Sequence, residues 1–232
     1  MRLEAAREAV AAGGRRLVAA GLVESTSGNL SVRDAGGQVV ISPSALAYDR
    51  VRPADVVVVE PDGRVADGHR VPSSELGMHL AVYARRADVG AVVHTHSPWA
   101  TSWAVLGREI PAVHYVIASI GRRIRVAPYA TFGSDELAGQ AAATLGGDNA
   151  VLLANHGVLA VGADLDAAFD NAVRVEFLAE VYWKACQVGE PVILPDEEID
   201  RVAALIAAMP RDLAGGEGGD GGGQPSARPE GV

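Results

Sequence analysis

The chain has 232 residues, 49% of them hydrophobic and 21% charged, a composition typical of a globular protein with a sizeable core. Its formal net charge of −9 argues against a nucleic-acid surface, because phosphate backbones are bound by clustered Lys and Arg. Cys186 is the only cysteine and Lys184 the only lysine. An internal disulfide and a CxxC metal motif are therefore excluded, and any lysine chemistry would have to use Lys184.

The N-terminal segment has Arg and Glu spread through its apolar positions, which argues against a signal peptide. Residues 2–20 predict an amphipathic helix that ends before Gly21. No apolar run approaches the ~20 residues that span a bilayer, so we expect a cytoplasmic protein with no membrane partner. We expect one catalytic domain over 1–210 and a glycine-rich tail over 211–232 that is disordered, because it has almost no large apolar side chains.

Hydrophobic periodicity and turn residues predict the elements of the first half. They are a hairpin over 29–42 that turns at Gly36-Gly37, a buried strand at 55–60, a loop at 68–72, a helix from Ser73 to about Arg86, a strand at 88–96 and a helix from Pro98 to about 106. In the first of these helices Ser73 and Ser74 are good N-cap residues, and Glu75 falls in the first turn, where the helix dipole favours a carboxylate.

The second half is predicted in the same way. Residues 112–120 fit either a strand or a helix, because periodicity alone does not separate the two in a short apolar run. The remaining elements are a strand at 124–127, a helix from Ser134 to about Leu145, a strand at 149–154, a turn at 155–157, a strand at 158–161, a long helix at 164–187 and a short helix at 195–209.

The strand that begins near Asp88 ends in two histidines separated by one residue. Side chains at i and i+2 of a strand point to the same face, so His94 and His96 project together. Two convergent imidazoles form half of a metal site. His69, by contrast, is expected to be an exposed loop residue.

Two further residues complete a possible ligand set. His156 follows another apolar strand, and Gly157 after it permits a tight turn that leaves the imidazole unobstructed. With Glu75, the chain offers three histidines and one carboxylate, a set that suits tetrahedral Zn²⁺. Taken alone, His156 is equally compatible with a core histidine and Glu75 with a helix-start charge. His79, four residues after Glu75 on the same helix face, is a candidate for supporting the ligands.

Small hydroxyl residues are concentrated in three places: Thr26-Ser27-Gly28-Asn29, Ser42-Pro43-Ser44-Ala45 and Ser73-Ser74. Backbone N–H groups and hydroxyls in such loops can form a phosphate cradle. A nucleotide P-loop is excluded, because no GxxxxGK[ST] motif is present.

These motifs together resemble the class II aldolase and adducin head family. The segments that carry the resemblance are S-G-N-L-S-V-R (27–33), S-P-S (42–44), P-S-S-E (72–75), H-T-H (94–96), I-P-A-V-H-Y (110–115), A-P-Y-A-T-F-G (127–133) and N-H-G (155–157). Their order and spacing are most similar to the members that cleave L-fuculose 1-phosphate, and the resemblance covers about residues 3–205.

The resemblance implies an α/β fold, an α/β/α sandwich around a mainly antiparallel sheet, assembled as a homotetramer with active sites near subunit interfaces. It implies that His94, His96 and His156 bind Zn²⁺, with Glu75 as a fourth ligand at rest and as the acid–base group during turnover. The phosphate-binding positions that it implies are Ser27, Gly28, Asn29, Ser44, Ser73 and Ser74.

The resemblance also implies a zinc-dependent aldolase that reversibly cleaves a ketose 1-phosphate to dihydroxyacetone phosphate and a small aldehyde. The enediolate formed by retro-aldol cleavage needs stabilisation by either a lysine Schiff base or a metal. Because Lys184 is the only lysine and lies on a predicted helix that ends at a Gln-Val-Gly turn, the metal route is favoured. Tyr115 matches the tyrosine that reaches the neighbouring subunit's site and is expected to exchange a proton with the C4 oxygen.

Other readings remain. A pentulose-phosphate 4-epimerase, a methylthioribulose-phosphate dehydratase and a phosphotetronate decarboxylase share the fold, although the intact segments His114-Tyr115 and Ala127-Pro128-Tyr129 favour an aldolase. A non-catalytic adducin-like domain would be expected to have lost metal ligands. A cupin or a metallo-β-lactamase would need a glutamate shortly after H-x-H or an aspartate directly after it, and His96 is followed by Ser-Pro-Trp.

Two positions depart from the family pattern. Ala45 stands where a glycine is expected in the second phosphate loop, and no tyrosine lies near Met209, where a tail tyrosine would close over the aldehyde. The resemblance therefore covers the dihydroxyacetone-phosphate half of the substrate and does not assign the aldehyde.

Overall fold

A computed structural model describes residues 1–209. The predicted disordered tail over 211–232 lies outside the described residues. Within residues 1–209, no helix is long and apolar enough to cross a membrane.

One eight-stranded sheet forms the centre of the fold. In chain order its strands are β1 (Asn29–Arg33), β2 (Val39–Ile41), β3 (Val57–Val59), β4 (Val65–Asp67), β5 (Ala91–Thr95), β6 (Val126–Ala127), β7 (Ala150–Leu153) and β8 (Gly157–Gly162). They are arranged in the order β4-β3-β2-β1-β5-β8-β7-β6, and every pair is antiparallel except β6 with β7. The predicted α/β fold with a mainly antiparallel sheet is confirmed.

Six α-helices flank the sheet: α1 (Glu4–Ala19), α2 (Leu76–Arg85), α3 (Pro98–Val105), α4 (Asp135–Leu145), α5 (Leu165–Val188) and α6 (Asp196–Ala208). Apolar side chains of α1, α3, α5 and α6 share one hydrophobic core with one face of the sheet. Those of α2 and α4 share a second core with the other face. Successive side chains of a strand point to opposite faces of the sheet. The continuous Val-rich runs therefore place apolar side chains on both faces, one face in each core.

Two short segments differ from expectation. The ambiguous run 112–120 contains a 3₁₀ helix at Tyr115–Ser119, and a second 3₁₀ helix lies at Pro53–Asp55. The edge strand β4 was not predicted, because its residues are partly exposed and lack the continuous apolar run that marks the equally short β2 and β3.

The prediction that Ser73 or Ser74 is the N-cap residue of α2 is wrong. The helix begins at Leu76, and its N-cap residue is Glu75, whose side chain makes no capping hydrogen bond. Ser73 instead accepts a hydrogen bond at its hydroxyl from the Glu75 N–H, at 3.2 Å. The serines therefore precede the helix and shape the turn that delivers Glu75.

Strand register brings the central residues together. Asn29 of β1 is paired with His94 of β5, and His94 is paired on its other side with Leu159 of β8. His94 therefore lies in the middle of the sheet, fully buried. Its side chain points to the face that α2 covers, because it shares the face of Val92, a member of the core that α2 and α4 build.

Candidate active site

Four side chains meet where β5 ends and α2 begins. Glu75 lies at the start of α2, His94 is in β5, His96 follows β5, and His156 precedes β8. One ligand atom from each lies within 4.8 Å of those of the others. The structure thus brings together all four predicted metal-site residues.

The nitrogen and oxygen atoms of the cluster face one another at short distances. Nε2 of His94 is 3.0 Å from Nε2 of His96 and 3.1 Å from Oε2 of Glu75. Nε2 of His156 is 3.3 Å from Oε1 of Glu75. Oε1 is buried and has no hydrogen-bond partner among the described residues.

The protonation of His94 follows from its neighbours. Its Nδ1 lies 2.8 Å from the Val158 carbonyl oxygen, which only accepts, so Nδ1 carries a proton and donates. In a neutral ring Nε2 then presents a lone pair to the Glu75 carboxylate, which is also an acceptor. A cation between these atoms would resolve the opposition of lone pairs, and a fixed Nδ1–H···O=C bond is the usual support of a metal-binding histidine. The residues present therefore fit a divalent metal ion.

The residues of the metal-free cluster shift one another's titration. Burial raises the pKa of Glu75, but its charge and hydrogen-bond interactions with His94, together with His156 and Asn29, outweigh burial and hold the pKa well below its usual range. Burial and the neighbouring histidines lower the pKa of His96 to about 4, and burial also lowers the pKa of His156. The ionised form of Glu75 and the unprotonated rings of His96 and His156 are thus favoured, the forms that bind a metal ion.

A pocket of about 360 Å³ opens onto the cluster. The three hydroxyl-rich segments surround it, together with Glu75, His96 and His156. Its lining residues are Thr26, Ser27, Gly28, Asn29, Pro43, Ser44, Ala45, Ser73, Ser74, Glu75, His96, Tyr129, Ala130, Phe132, Asn155 and His156. All six predicted phosphate-binding residues are among them, and no Arg or Lys is. A phosphate bound there would be held by neutral donors.

The individual hydroxyls differ in their freedom. Ser27 donates to the Glu24 carbonyl oxygen at 2.7 Å, so its hydroxyl is engaged in its own loop. Ser44 donates its N–H to the Val71 carbonyl oxygen at 2.9 Å and lines the pocket. The side chain of Asn29 turns to Glu75, with Nδ2 donating to Oε2 at 2.9 Å.

Tyr115, a predicted participant, and Lys184, for which no role was expected, both lie outside this pocket. Tyr115 is exposed on its 3₁₀ helix and stacks on His114, with 4.7 Å between ring centroids. It is not among the residues that line this chain's pocket, and its expected role in a neighbouring subunit's site remains a prediction. Lys184 is also outside the pocket: it pairs with Glu180 at 2.6 Å on the outer surface of α5.

Sequence reasoning missed three residues at the pocket. Tyr129 and Phe132 line it and are exposed. Both lie inside the A-P-Y-A-T-F-G segment. That segment contributes to the family resemblance, but no role was predicted for either side chain. Tyr48 is buried and donates from its hydroxyl to the Gly28 carbonyl oxygen at 3.0 Å, which braces the first hydroxyl loop. No sequence signal indicated that contact, because it joins positions twenty residues apart.

The turn around His156 differs from the expected one. The left-handed residue is Asn155, with φ of 54°, and Gly157 already belongs to β8. Gly157 is needed for space: a Cβ there would lie 2.3 Å from the Thr95 carbonyl oxygen. The glycine therefore lets β8 approach β5 closely enough to place His156 beside His96.

Comparison with known proteins agrees with the fold. Residues 8–183 match the family model described as "Class II Aldolase and Adducin N-terminal domain". The chain is 49% identical to the 5-methylthioribulose-1-phosphate/5-deoxyribulose-1-phosphate aldolase of Rhodospirillum rubrum, over 81% of this chain and 85% of that protein. It is 45% identical to the 5-deoxy-D-ribulose 1-phosphate aldolase of Bacillus thuringiensis serovar kurstaki, over 88% of this chain and 96% of that protein.

A solved structure of an L-fuculose 1-phosphate aldolase superposes with a TM-score of 0.86 at 42% identity, covering 88% of this chain and 96% of that one. The chain belongs to the class II aldolase and adducin family. Within it, the chain is a class II aldolase, a carbon–carbon lyase. The adducin-like reading is thereby set aside.

Proposed function

We propose that this enzyme is a zinc-dependent aldolase that reversibly cleaves a 5-deoxypentulose 1-phosphate to dihydroxyacetone phosphate and acetaldehyde. The observation that carries the proposal is the position of the Glu75–His94–His96–His156 cluster, whose members Glu75, His96 and His156 border the hydroxyl-lined pocket. A donor set of three histidines and one carboxylate suits Zn²⁺. The phosphate end and the reacting carbons of one small substrate can thus be held in a single pocket.

The substrate is chosen on two grounds. The relatives at 49% and 45% identity are named for 5-deoxyribulose 1-phosphate or its 5-methylthio analogue. Their substrates carry no hydroxyl at C5, whereas L-fuculose 1-phosphate does, and the aromatic side chains of Tyr129 and Phe132 offer apolar surface at the pocket. L-fuculose 1-phosphate, the substrate named for the similar solved structure, is the competing candidate.

The residues of this chain have separable tasks. The hydroxyls of Ser44, Ser73 and Ser74, with backbone N–H groups of the first loop, would hold the phosphate. Bound zinc would supply Lewis-acid stabilisation of the charge that develops on the substrate oxygens. On cleavage the C3–C4 bond breaks, its electron pair stays on C3, and the C4 hydroxyl loses its proton as the aldehyde forms.

Proton transfer needs two groups. In the condensation direction, the ionised Glu75 carboxylate would take the proton from C3, and Tyr115 of a neighbouring subunit in a homotetramer would donate a proton to the C4 oxygen. In the cleavage direction both transfers would run in reverse, so that the proton of the C4 hydroxyl passes to Tyr115 and that of Glu75 to C3. A Schiff-base route lacks support, because Lys184 is not among the residues that line the pocket.

The test uses a panel of substrates in both directions. Cleavage of 5-deoxy-D-ribulose 1-phosphate, its 5-methylthio analogue and L-fuculose 1-phosphate is followed by dihydroxyacetone phosphate release, and condensation is followed with acetaldehyde and L-lactaldehyde. We expect the highest kcat/KM with the 5-deoxypentulose phosphate. A preference for L-fuculose 1-phosphate would correct the substrate, and no C–C cleavage with any substrate would refute the proposal in favour of epimerisation, dehydration or decarboxylation.

The variant Glu75→Gln tests the proton-transfer role, because it keeps the size of the side chain but cannot accept or deliver the proton. We expect metal retention with turnover lowered by about 10²-fold or more, the scale of general acid–base loss. Unchanged turnover would return Glu75 to a helix-start charge.

A further inference from the structure

A buried network of polar side chains leads from Asn29, which lines the pocket, into the protein interior behind Glu75. Its members are Asn29 and Ser31 of β1 and His79 and Tyr83 of α2, called here the α2–β1 network. The two strand residues share a face because they are two positions apart, and the two helix residues share a face because they are four apart. His79 is completely buried, and none of the four is exposed.

The hydrogen bonds of the network have only one consistent direction near the site. The Glu75 carboxylate accepts only, so Asn29 presents its amide Nδ2 to it, at 2.9 Å. This leaves Asn29 Oδ1 facing His79 Nε2 at 2.5 Å. An amide oxygen also accepts only, so Nε2 of His79 carries a proton and donates it.

The other side of the His79 ring is fixed in the same way. Nδ1 of His79 lies 2.7 Å from the Ser31 hydroxyl. In a neutral ring with a proton on Nε2, Nδ1 accepts, so Ser31 is the donor. Tyr83 lies 2.8 Å from the same Ser31 hydroxyl and donates to the Ser31 carbonyl oxygen at 3.1 Å.

The environment keeps the His79 ring neutral. Burial and the nearby His94 lower the pKa of His79 to about 3. No carboxylate contacts the ring, since Asn29 stands between His79 and Glu75. A neutral ring donates one hydrogen bond and accepts one, which matches the two partners present.

We infer that His79 is a positioning residue, which through Asn29 fixes the Glu75 carboxylate at the angle required for metal binding and proton transfer. Asn29 with both amide atoms engaged cannot rotate without breaking a buried hydrogen bond. A buried donor or acceptor left unpaired is costly, so Glu75 Oε2 is held where Asn29 directs it. This inference rests on the proposed acid–base role of Glu75.

Two amide substitutions separate the two ends of the ring. His79→Gln places an amide nitrogen near the position of Nε2 and keeps a donor for Asn29. His79→Asn is one methylene shorter, reaches only the Ser31 side, and leaves Asn29 Oδ1 without its donor. Both are neutral, so they differ in which partner they serve.

We expect His79→Gln to stay within about 3-fold of the parent enzyme in kcat and zinc affinity. For His79→Asn we expect kcat and zinc affinity, the latter measured by competition with a chelator, each to fall by about 10-fold or more, the scale for lost support of a metal ligand. KM should change less than kcat, because Ser44, Ser73 and Ser74, the hydroxyls proposed to hold the phosphate, are not contacted by His79. Leu145→Ala, which opens a cavity in buried α4 side chains away from the pocket, controls for lost stability and should retain kcat.

Equal behaviour of the Gln and Asn variants, whether both active or both impaired, would overturn the inference. A second measurement uses the parent enzyme and does not require His79→Asn to fold. Two-bond ¹H–¹⁵N spectra of the zinc-loaded enzyme report the protonation of each histidine ring. The His79 signals are assigned by their absence in His79→Gln. We expect the neutral Nε2–H form, and an Nδ1–H form or an imidazolium would overturn the inference. Failure of the proposed function would appear separately, as absence of cleavage by the parent enzyme.

Discussion

Gly28 packs directly against the backbone of His94. A Cβ on Gly28 would lie 2.6 Å from the His94 carbonyl oxygen, and Gly28 has a φ of 69°, a conformation that side chains disfavour. The first hydroxyl loop and the strand that holds the histidines are therefore in contact through a residue with no side chain. The hydroxyl-lined part of the pocket and the Glu75–His94–His96–His156 cluster are therefore positioned together.

Gly28→Ala is expected to disturb both. The left-handed conformation costs about 1–2 kcal/mol for a residue with a Cβ, and the clash with His94 adds to it. Gly21→Ala is the matched control, since Gly21 has φ of 68° and nothing within 4 Å of the added methyl. We expect both variants to lose free energy of unfolding in urea, with the larger loss and a reduced kcat/KM only for Gly28→Ala. Equal losses would show that the contact with His94 is unimportant.

Removal of one imidazole tests the metal cluster. His96→Ala is expected to lose most of its bound zinc, because three remaining ligands hold the ion less tightly than four. His69→Ala is the control: His69 is exposed and lies 3.5 Å from Asp55, outside the cluster. The measurement is metal content per chain after dialysis, expected to be about one zinc for the parent and for His69→Ala. Full retention by His96→Ala would contradict the ligand assignment.

Much of this site was accessible from sequence because its signals are local. H-x-H at a strand end, a carboxylate before a helix and N-H-G after a strand each predict an exposed or convergent group. The boundaries of α5 also followed from its apolar pattern to within one residue, whereas the strand with His94 begins three residues later than predicted. The four candidate ligands were thus predicted one by one. Whether they lie close together depends on the order of the strands in the sheet.

The residues that sequence did not assign depend on contacts between distant segments. Arg7 is completely buried and bonds the Val56 carbonyl oxygen and the Asp67 carboxylate, the latter at 2.7 Å and sixty positions away. Nothing in the α1 pattern distinguishes it from the exposed arginines. His79 was predicted as a supporting residue from its spacing to Glu75, but its partners on β1 were visible only in the structure.

Substitution of Ala45 by glycine is expected to leave the free energy of unfolding unchanged or to raise it, in contrast to Gly28→Ala. Ala45 stands where the family resemblance expects glycine, and its φ is 54°, in the left-handed region. Ala45→Gly relieves about 1–2 kcal/mol of backbone strain but adds about 0.5–1 kcal/mol of unfolded-state entropy. We therefore expect a change between none and about 1.5 kcal/mol of stabilisation in urea unfolding.

The control for this substitution is Ala143→Gly, at an exposed position within α4. A glycine there has no strain to relieve and is expected to destabilise by about 1 kcal/mol. If Ala45→Gly destabilised to the same extent, strain at Ala45 would be absent. Activity measured alongside reports whether the second hydroxyl loop changes its hold on phosphate.

The stability of the metal-free enzyme should depend on pH in a definite direction. The pKa of His79 is lowered from 6.5 to about 3 in the folded state. Between these values the unfolded chain binds more protons, so its free energy falls relative to the folded state as pH decreases. The stabilisation is complete above pH 6.5 and is lost progressively toward pH 3.

His79→Gln isolates this contribution. Below pH 6.5 its free energy of unfolding should depend less steeply on pH than that of the parent, by up to about 1.4 kcal/mol per pH unit. Urea unfolding of both chelator-treated proteins between pH 7 and pH 5 measures the slopes. Identical slopes would mean that His79 is charged, or freely solvated, in the folded enzyme.

Glu176 of α5 caps a helix to which it does not belong. Its two carboxylate oxygens accept from the N–H groups of Trp99 and Ala100, each at 2.9 Å, at the start of α3. Ser97, the N-cap residue of α3, makes no side-chain cap. An anion at a helix N-terminus is favoured by the helix dipole, so Glu176 replaces the missing cap and ties α5 to the helix that begins two residues after His96.

Glu176→Gln removes the charge and one of the two acceptors, so we expect the free energy of unfolding to fall by about 1–2 kcal/mol, as for loss of a cap. Glu180→Gln is the matched control on the same helix, since Glu180 pairs with the exposed Lys184 and a surface pair contributes at most about 1 kcal/mol. Urea unfolding of the zinc-loaded proteins gives the comparison. A loss no larger for Glu176→Gln than for Glu180→Gln would mean that α3 is held by its apolar contacts with α5 alone. A larger loss confined to Glu176→Gln would establish the Glu176 carboxylate as the cap of α3, the helix that follows the strand with His94.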